Sequence, residues 1–277
     1  MIGGRQMQAV GTGEGPDVGV TLKTLLAPIL ALCVLTPATA ALAQEGSARA
    51  DEATLAPETI LLRMARVYRN CRSYRDTGEV RTTLRIGDGR AGSDRPFHTA
   101  FVRPDRFRFQ FTDPGLGERS SAYIVWTDGT EVRSWWDAKP GVRNAGTLRG
   151  GLGVAAGISG GSSNRVPALL LPGTIGQGPP IIAAERIQDG SDRGVPCFRI
   201  KGKSQKTPYT LTMGGQTLTV QDESITLWID RATLLLHKVE DRKTFDTYDS
   251  ESVTTYKPEL DVEIPPEQLT FNAPQAP

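Results

Sequence analysis

The stretch Phe101–Trp136, FVRPDRFRFQFTDPGLGERSSAYIVWTDGTEVRSWW, decides how the rest of the chain is read. Phe107, Phe109 and Phe111 alternate with Arg106, Arg108 and Gln110. That period of two puts one face of a strand against apolar surroundings and the other in water. Asp128-Gly129 then separates two further aromatic segments, ending at Trp126 and Trp136, and an Asp-Gly pair so placed is a strong hairpin signal. The stretch predicts an antiparallel meander with one face built from rings.

The chain has 277 residues, 38% hydrophobic and 23% charged, with a net charge of +1. This is ordinary globular composition. Nucleic-acid binding would ask for a basic excess gathered on one face, and the sequence shows no such patch. The reading excludes nucleic acid as a partner.

Working outward to the N-terminus, Lys23 precedes an apolar run, Leu25–Leu35, and Ala41-Leu42-Ala43 supplies small residues before Gln44-Glu45. This predicts a signal peptide over 1–43, cleaved after Ala43. The run is about eleven residues, short of the roughly 20 that span a bilayer. Leu32 before Cys33 is not the small residue that a lipid-attachment signal needs. Cleavage removes Arg5, Lys23, Glu14 and Asp17, which leaves the net charge unchanged. Of the remaining cysteines, Cys71 and Cys197, the reading favours two buried thiols; a disulfide across the long loop between them stays open as the alternative.

Residues 44–56 read as a flexible leader, followed by a single domain over 57–277. From Pro57, Ile60, Leu61, Met64, Val67, Tyr68 and Cys71 recur at spacings of three and four, and Arg63, Arg66 and Arg69 lie off that stripe; this is a helix with one face to bury. Strands follow near 78–86, 97–103, 107–112, 122–126 and 132–136. Short turns between them require antiparallel pairing. Residues 141–178 are glycine-rich and apolar, with Leu152, Ile158 and Leu170 among them. Each glycine lowers helix stability by about 1 kcal/mol, so helices here need tertiary contacts to hold them; the segment is expected to form a movable lid. Its glycines lack the Gly-Lys-Ser/Thr of a phosphate loop. The second half returns to strands near 181–187, 197–201, 209–213, 216–220, 225–230, 235–241 and 252–257, with a closing strand expected at Leu269–Phe271.

Catalysis finds little to work with. The two histidines, His98 and His237, both fall in predicted strands, and neither sits beside a nucleophile elbow. Two histidines and no Cys-x-x-Cys also argue against a metal site or redox chemistry. No cofactor is expected.

The helix, then Arg103-Pro104-Asp105, Phe107-Arg108-Phe109, Trp126-Thr127-Asp128-Gly129, Trp135-Trp136, Leu227-Trp228-Ile229-Asp230 and Phe271–Pro274, resemble the periplasmic lipoprotein-carrier superfamily (LolA/LolB-like), with the glycine-rich middle and long second half most like DUF2092-type periplasmic proteins. The resemblance implies an α+β fold: one curved antiparallel sheet of about ten to eleven strands forming an unclosed half β-barrel, with an N-terminal helix and a helical lid over its concave face. It also implies that Arg103 helps hold the lid closed. The inserted Tyr209–Val220 hairpin and the glycine-rich cover depart from the carriers.

The expected cavity lining is Phe101, Phe107, Phe109, Phe111, Trp126 and Trp136 from the sheet, with Leu152, Ile158 and Leu170 from the lid and Arg103 as its latch. On this reading the protein is a periplasmic, monomeric, non-enzymatic binder or carrier of lipid or lipoprotein acyl chains, with envelope membrane proteins as possible partners. Two alternatives remain: an envelope sensor or protein-binding module of the same fold, and, with less support, an exported hydrolase.

Overall fold

Pro57 opens helix α1 (Pro57–Asn70), where its missing N–H costs nothing, and Glu58 places a carboxylate in the positive first turn. The helix buries Ile60, Leu61, Met64 and Tyr68. The computed structural model describes residues 54–114, 121–156, 159–176, 181–213 and 216–274. The expected signal peptide, the leader as far as residue 53, and Ile158 lie outside the described residues.

After α1 come β1 (Ser73–Ile86), β2 (Gly89–Val102), β3 (Arg106–Asp113), β4 (Ser121–Thr127), β5 (Val132–Trp136) and β6 (Lys139–Asn144). Helices α2 (Leu148–Ala156) and α3 (Ser162–Leu170) form the cover. The second half supplies β7 (Ile182–Asp192), β8 (Val195–Lys203), β9 (Tyr209–Met213), β10 (Gln216–Asp230), β11 (Leu236–Phe245) and β12 (Asp249–Leu260). All twelve belong to one antiparallel sheet, ordered β6-β5-β4-β3-β2-β1-β12-β11-β10-β8-β7, with β9 paired to β10 beside that path. The two halves of the chain join where β1 pairs with β12, Gly78 opposite Tyr256. Among the described residues β6 and β7 end the order and do not pair with each other, so the fold is an α+β half-barrel that does not close.

Three details differ from the sequence reading. Strand β6 takes 141–144 out of the expected lid, and all six of its residues are exposed. The segments near 216–220 and 225–230 are one strand, β10, with a register shift between Val220 and Asp222. Leu269–Phe271 is not a strand: a 3-10 turn, Pro266–Gln268, leads into an irregular tail, and the N–H groups of Leu269 and Thr270 bond back to Pro266 O at 3.0 and 3.1 Å instead of to a ladder.

The core fills the concave face. Rings of Tyr74, Phe97, Phe101, Phe107, Phe109, Phe198 and Tyr256 form its floor, and Ile60, Met64, Leu152, Val166 and Leu170 descend onto it from the helices. The convex face has a small second cluster, in which Ile264 and Leu269 of the tail pack on Ala100.

Candidate functional site

The registers decide which side chains share the concave face. Phe109 lies opposite Val125, Phe107 opposite Thr127 and Phe111 opposite Tyr123, while Phe101 lies opposite Phe107 on the other neighbour. Directly opposed residues point to the same side of a sheet. Phe101, Phe107, Phe109 and Phe111 therefore form a continuous floor, joined by Leu152 and Leu170 in the same buried cluster. Trp136 packs at the margin of that cluster, its indole Nε1 donating to Ser121 Oγ at 2.8 Å.

Trp126 is a correction. It lies opposite Arg108, on the convex face, where its ring meets Phe271 of the tail at 5.5 Å between centroids. Phe271 also contacts Trp135 at 5.2 Å. Strand β4 is buried on both sides, so an apolar residue in it has no single inward direction. Trp126 belongs to the tail's seat and not to the concave lining.

The cover meets this floor closely. A Cβ placed on Gly151 would stand 3.0 Å from Val125 Cγ1, so the glycine lets α2 lie against β4. Gly160, between the cover helices, has φ +54°, and a Cβ there would stand 2.5 Å from Val80 Cγ1. Only glycine suits both demands at that position. These glycines serve close approach as well as lowering helix propensity.

A few polar contacts fasten the helices to the sheet. Arg103, just beyond β2, donates from Nε to Cys71 O at 2.9 Å and from Nη2 to Tyr68 O and Leu170 O, each at 3.3 Å. Those carbonyls lie at the C-terminal ends of α1 and α3, where oxygens lack intrahelical donors and the dipole is negative. One guanidinium thus caps two helices, and it also sits 5.1 Å from the Phe101 ring centroid. Tyr123 donates its hydroxyl to Gly151 O at 2.7 Å. Leu236 N–H of β11 donates to Tyr68 Oη at 3.0 Å.

A further fastening escaped the sequence reading. Arg165 of α3 donates to Gly160 O at 2.7 Å and to Asp241 Oδ2 of β11 at 2.5 Å. Both side chains are about nine-tenths or more buried, at 10% and 7% exposure. Burial pushes the Asp241 carboxyl up, but Arg165 and Lys243 more than reverse this and hold it below the usual carboxylate range. Lys243 continues the chain of charges to Glu223, which accepts from Ser204 Oγ at 2.6 Å and Tyr209 Oη at 3.0 Å. Arg165 is the one charged residue between Arg149 and Glu185, and that isolation was the available signal.

One carboxylate sits in the concave floor itself. Asp76 accepts from Tyr74 Oη at 2.6 Å and Thr99 N at 2.9 Å. Burial drives its pKa up to about 6, against the lowering effect of those hydrogen bonds.

The histidines lie elsewhere. His98 lies opposite Gln110 on the convex face, where burial and the nearby Arg108 lower its pKa. His237 Nε2 stands 3.1 Å from Asp192 Oδ2. Among the described residues no cluster of three or more His, Cys, Asp or Glu could hold a metal ion. Cys71 and Cys197 are free and buried; Cys71 donates to Tyr68 O at 3.1 Å. No described helix is long and apolar enough to cross a membrane.

No family model matches the chain, and no curated protein matches it. Solved structures resemble it. A MucA/MucB complex of Pseudomonas aeruginosa is 10% identical, with 78% of this chain and 61% of that one covered, at a TM-score of 0.39. The lipoprotein LppX of Mycobacterium tuberculosis is 11% identical over 76% of this chain and 99% of that one, at 0.38. A LolA superfamily protein from Nitrosomonas europaea is 12% identical over 79% and 99%, at 0.29. Scores below 0.5 bear on no function, and the chain's own residues have to carry that. What those residues form is a ring-floored half-barrel under a glycine-rich cover, fastened at its ends by Arg103 and Arg165.

Proposed function

We propose that this protein is an exported, non-enzymatic binder of acyl chains, taking the tails of a lipid or lipoprotein between the ring floor and the cover. The observation that carries this reading is the fastening. The side chains of Leu152 and Leu170 join the rings in one apolar cluster, while Arg103, Tyr123 and Arg165 tie the cover to the sheet by a few polar contacts. Such a cover can part from the floor without breaking a ladder of backbone bonds. The floor it uncovers is apolar and extends across the sheet, so each buried methylene of a chain contributes about 0.8 kcal/mol. The chain replaces the helix side chains as the floor's apolar partner. Asp76 and Tyr256 within the floor are compatible with a polar group accompanying the chain.

The test is detergent-free purification from the native host, followed by mass spectrometry of the extract and titration with a fluorescent fatty acid. A stoichiometric lipid together with saturable fatty-acid binding is expected. Absence of both refutes the reading. A second role, a periplasmic module that binds a protein partner, is favoured by β9, which pairs with β10 outside the main strand order and is tied through Glu223 and Lys243 towards the cover. A lipid-free preparation that captures an envelope protein only while the Tyr209–Val220 hairpin is present would support that role.

A further inference from the structure

The helix layer concentrates charge that the whole chain does not. In α1 the residues turned away from the buried stripe are Leu62, Arg63, Arg66, Arg69 and Asn70, all exposed. At roughly 100° per residue they fall within an arc of about 120°. In α2 the exposed side chains include Arg149 and Val154. None of these four arginines has an ion pair among the described residues, and Glu58 is the one carboxylate in the three helices. Arg165 is turned inward to Asp241. The exposed side chains of α1 and α2 therefore carry four cations against one anion, in a chain whose net charge is +1. The same two helices leave one large apolar side chain each in water, Leu62 at 63% and Val154 at 59% exposure.

From this segregation we infer that the outer side of the helix layer docks on a bilayer rich in anionic phospholipid, with Arg63, Arg66, Arg69 and Arg149 against the headgroups and Leu62 and Val154 entering the interface. The inference rests on the acyl-chain reading above. Electrostatic attraction to anionic lipid and burial of apolar area both strengthen interfacial binding, and each cation near an anionic surface raises partitioning about fivefold.

The protein purified from its own host is to be floated with vesicles of phosphatidylglycerol and phosphatidylethanolamine, and separately with vesicles of phosphatidylcholine. Binding to the first and not the second is expected, falling steeply as salt rises from about 0.05 to about 0.5 M. The triple variant Arg63→Gln, Arg66→Gln, Arg69→Gln is expected to lose about a hundredfold in partitioning, while the matching triple Arg→Lys variant keeps most of it. Equal binding to both vesicle types, no binding to either, or equal losses in the glutamine and lysine variants overturns the inference. Fatty-acid uptake measured without vesicles separates the two readings. Uptake without vesicle docking refutes the docking alone, and docking without uptake refutes the cavity alone.

Discussion

Replacing Arg103 by leucine removes the one side chain that caps α1 and α3 together. The bond to Cys71 O at 2.9 Å is well made, whereas those to Tyr68 O and Leu170 O at 3.3 Å are long. A hydrogen bond to a charged group contributes about 1.5–3 kcal/mol when its geometry is good, and the long ones contribute less. The guanidinium over Phe101 adds about 0.5–2 kcal/mol. The total loss of stability is expected near 2–4 kcal/mol. Only the Leu170 contact crosses from the sheet's end to the cover, so opening of the cover alone should become easier by about 1 kcal/mol, or about fivefold in the open population. Native-state hydrogen exchange reads both quantities. Amides of α2 and α3 should exchange about fivefold faster through local opening, while those of β1, β2 and β12 change only with global stability. Uniform acceleration throughout, or no acceleration in α3, would show that Arg103 does not restrain the cover.

Asp76 predicts a pH dependence. Its folded-state pKa of about 6 lies above the usual aspartate value, so its contribution favours folding below that usual range and is lost as pH rises through about 6. The change amounts to about 3 kcal/mol. Asp76→Asn should flatten urea-denaturation stability between about pH 4 and pH 7, and an unchanged slope would contradict the assignment. Arg165→Met leaves Asp241 buried with Lys243 as its remaining cation and is expected to cost about 3–5 kcal/mol; adding Asp241→Leu should recover much of this, and failure to recover would mean the pair is not acting as a unit. Phe109→Ala, in the floor, should weaken fatty-acid binding at least severalfold, whereas Trp126→Ala on the convex face should lower stability and leave binding unchanged; equal effects on binding would undo the assignment of faces.

Period-two alternation around Phe107–Phe111 and the Asp128-Gly129 turn were enough to read the meander, and the spacing of Ile60, Leu61, Met64 and Tyr68 gave helix α1, because local backbone geometry writes its own period into the sequence. Antiparallel pairing was likewise legible from short turns and the absence of crossover helices between the strands, whereas the unclosed half-barrel was available only by resemblance. Strand β6 was not legible, since an edge strand with every side chain in water has no apolar alternation to display. Nor was the direction of Trp126: Ala122–Trp126 is apolar on both faces, and only the register with β3 and the arrival of Phe271, 145 positions later in the chain, decide that it faces the tail. The latch at Arg103 was available by resemblance, but its partners are backbone carbonyls, which no side-chain pattern reveals. Arg165 finds Asp241 at a separation of 76 residues, and the arginines of α1 and α2 are left without ion pairs among the described residues only because the fold brings no carboxylate to them. Sequence alone determined the elements and their apolar faces through short-range sterics and burial; pairing register and charge partners were decided by long-range contacts that exist only in the folded chain.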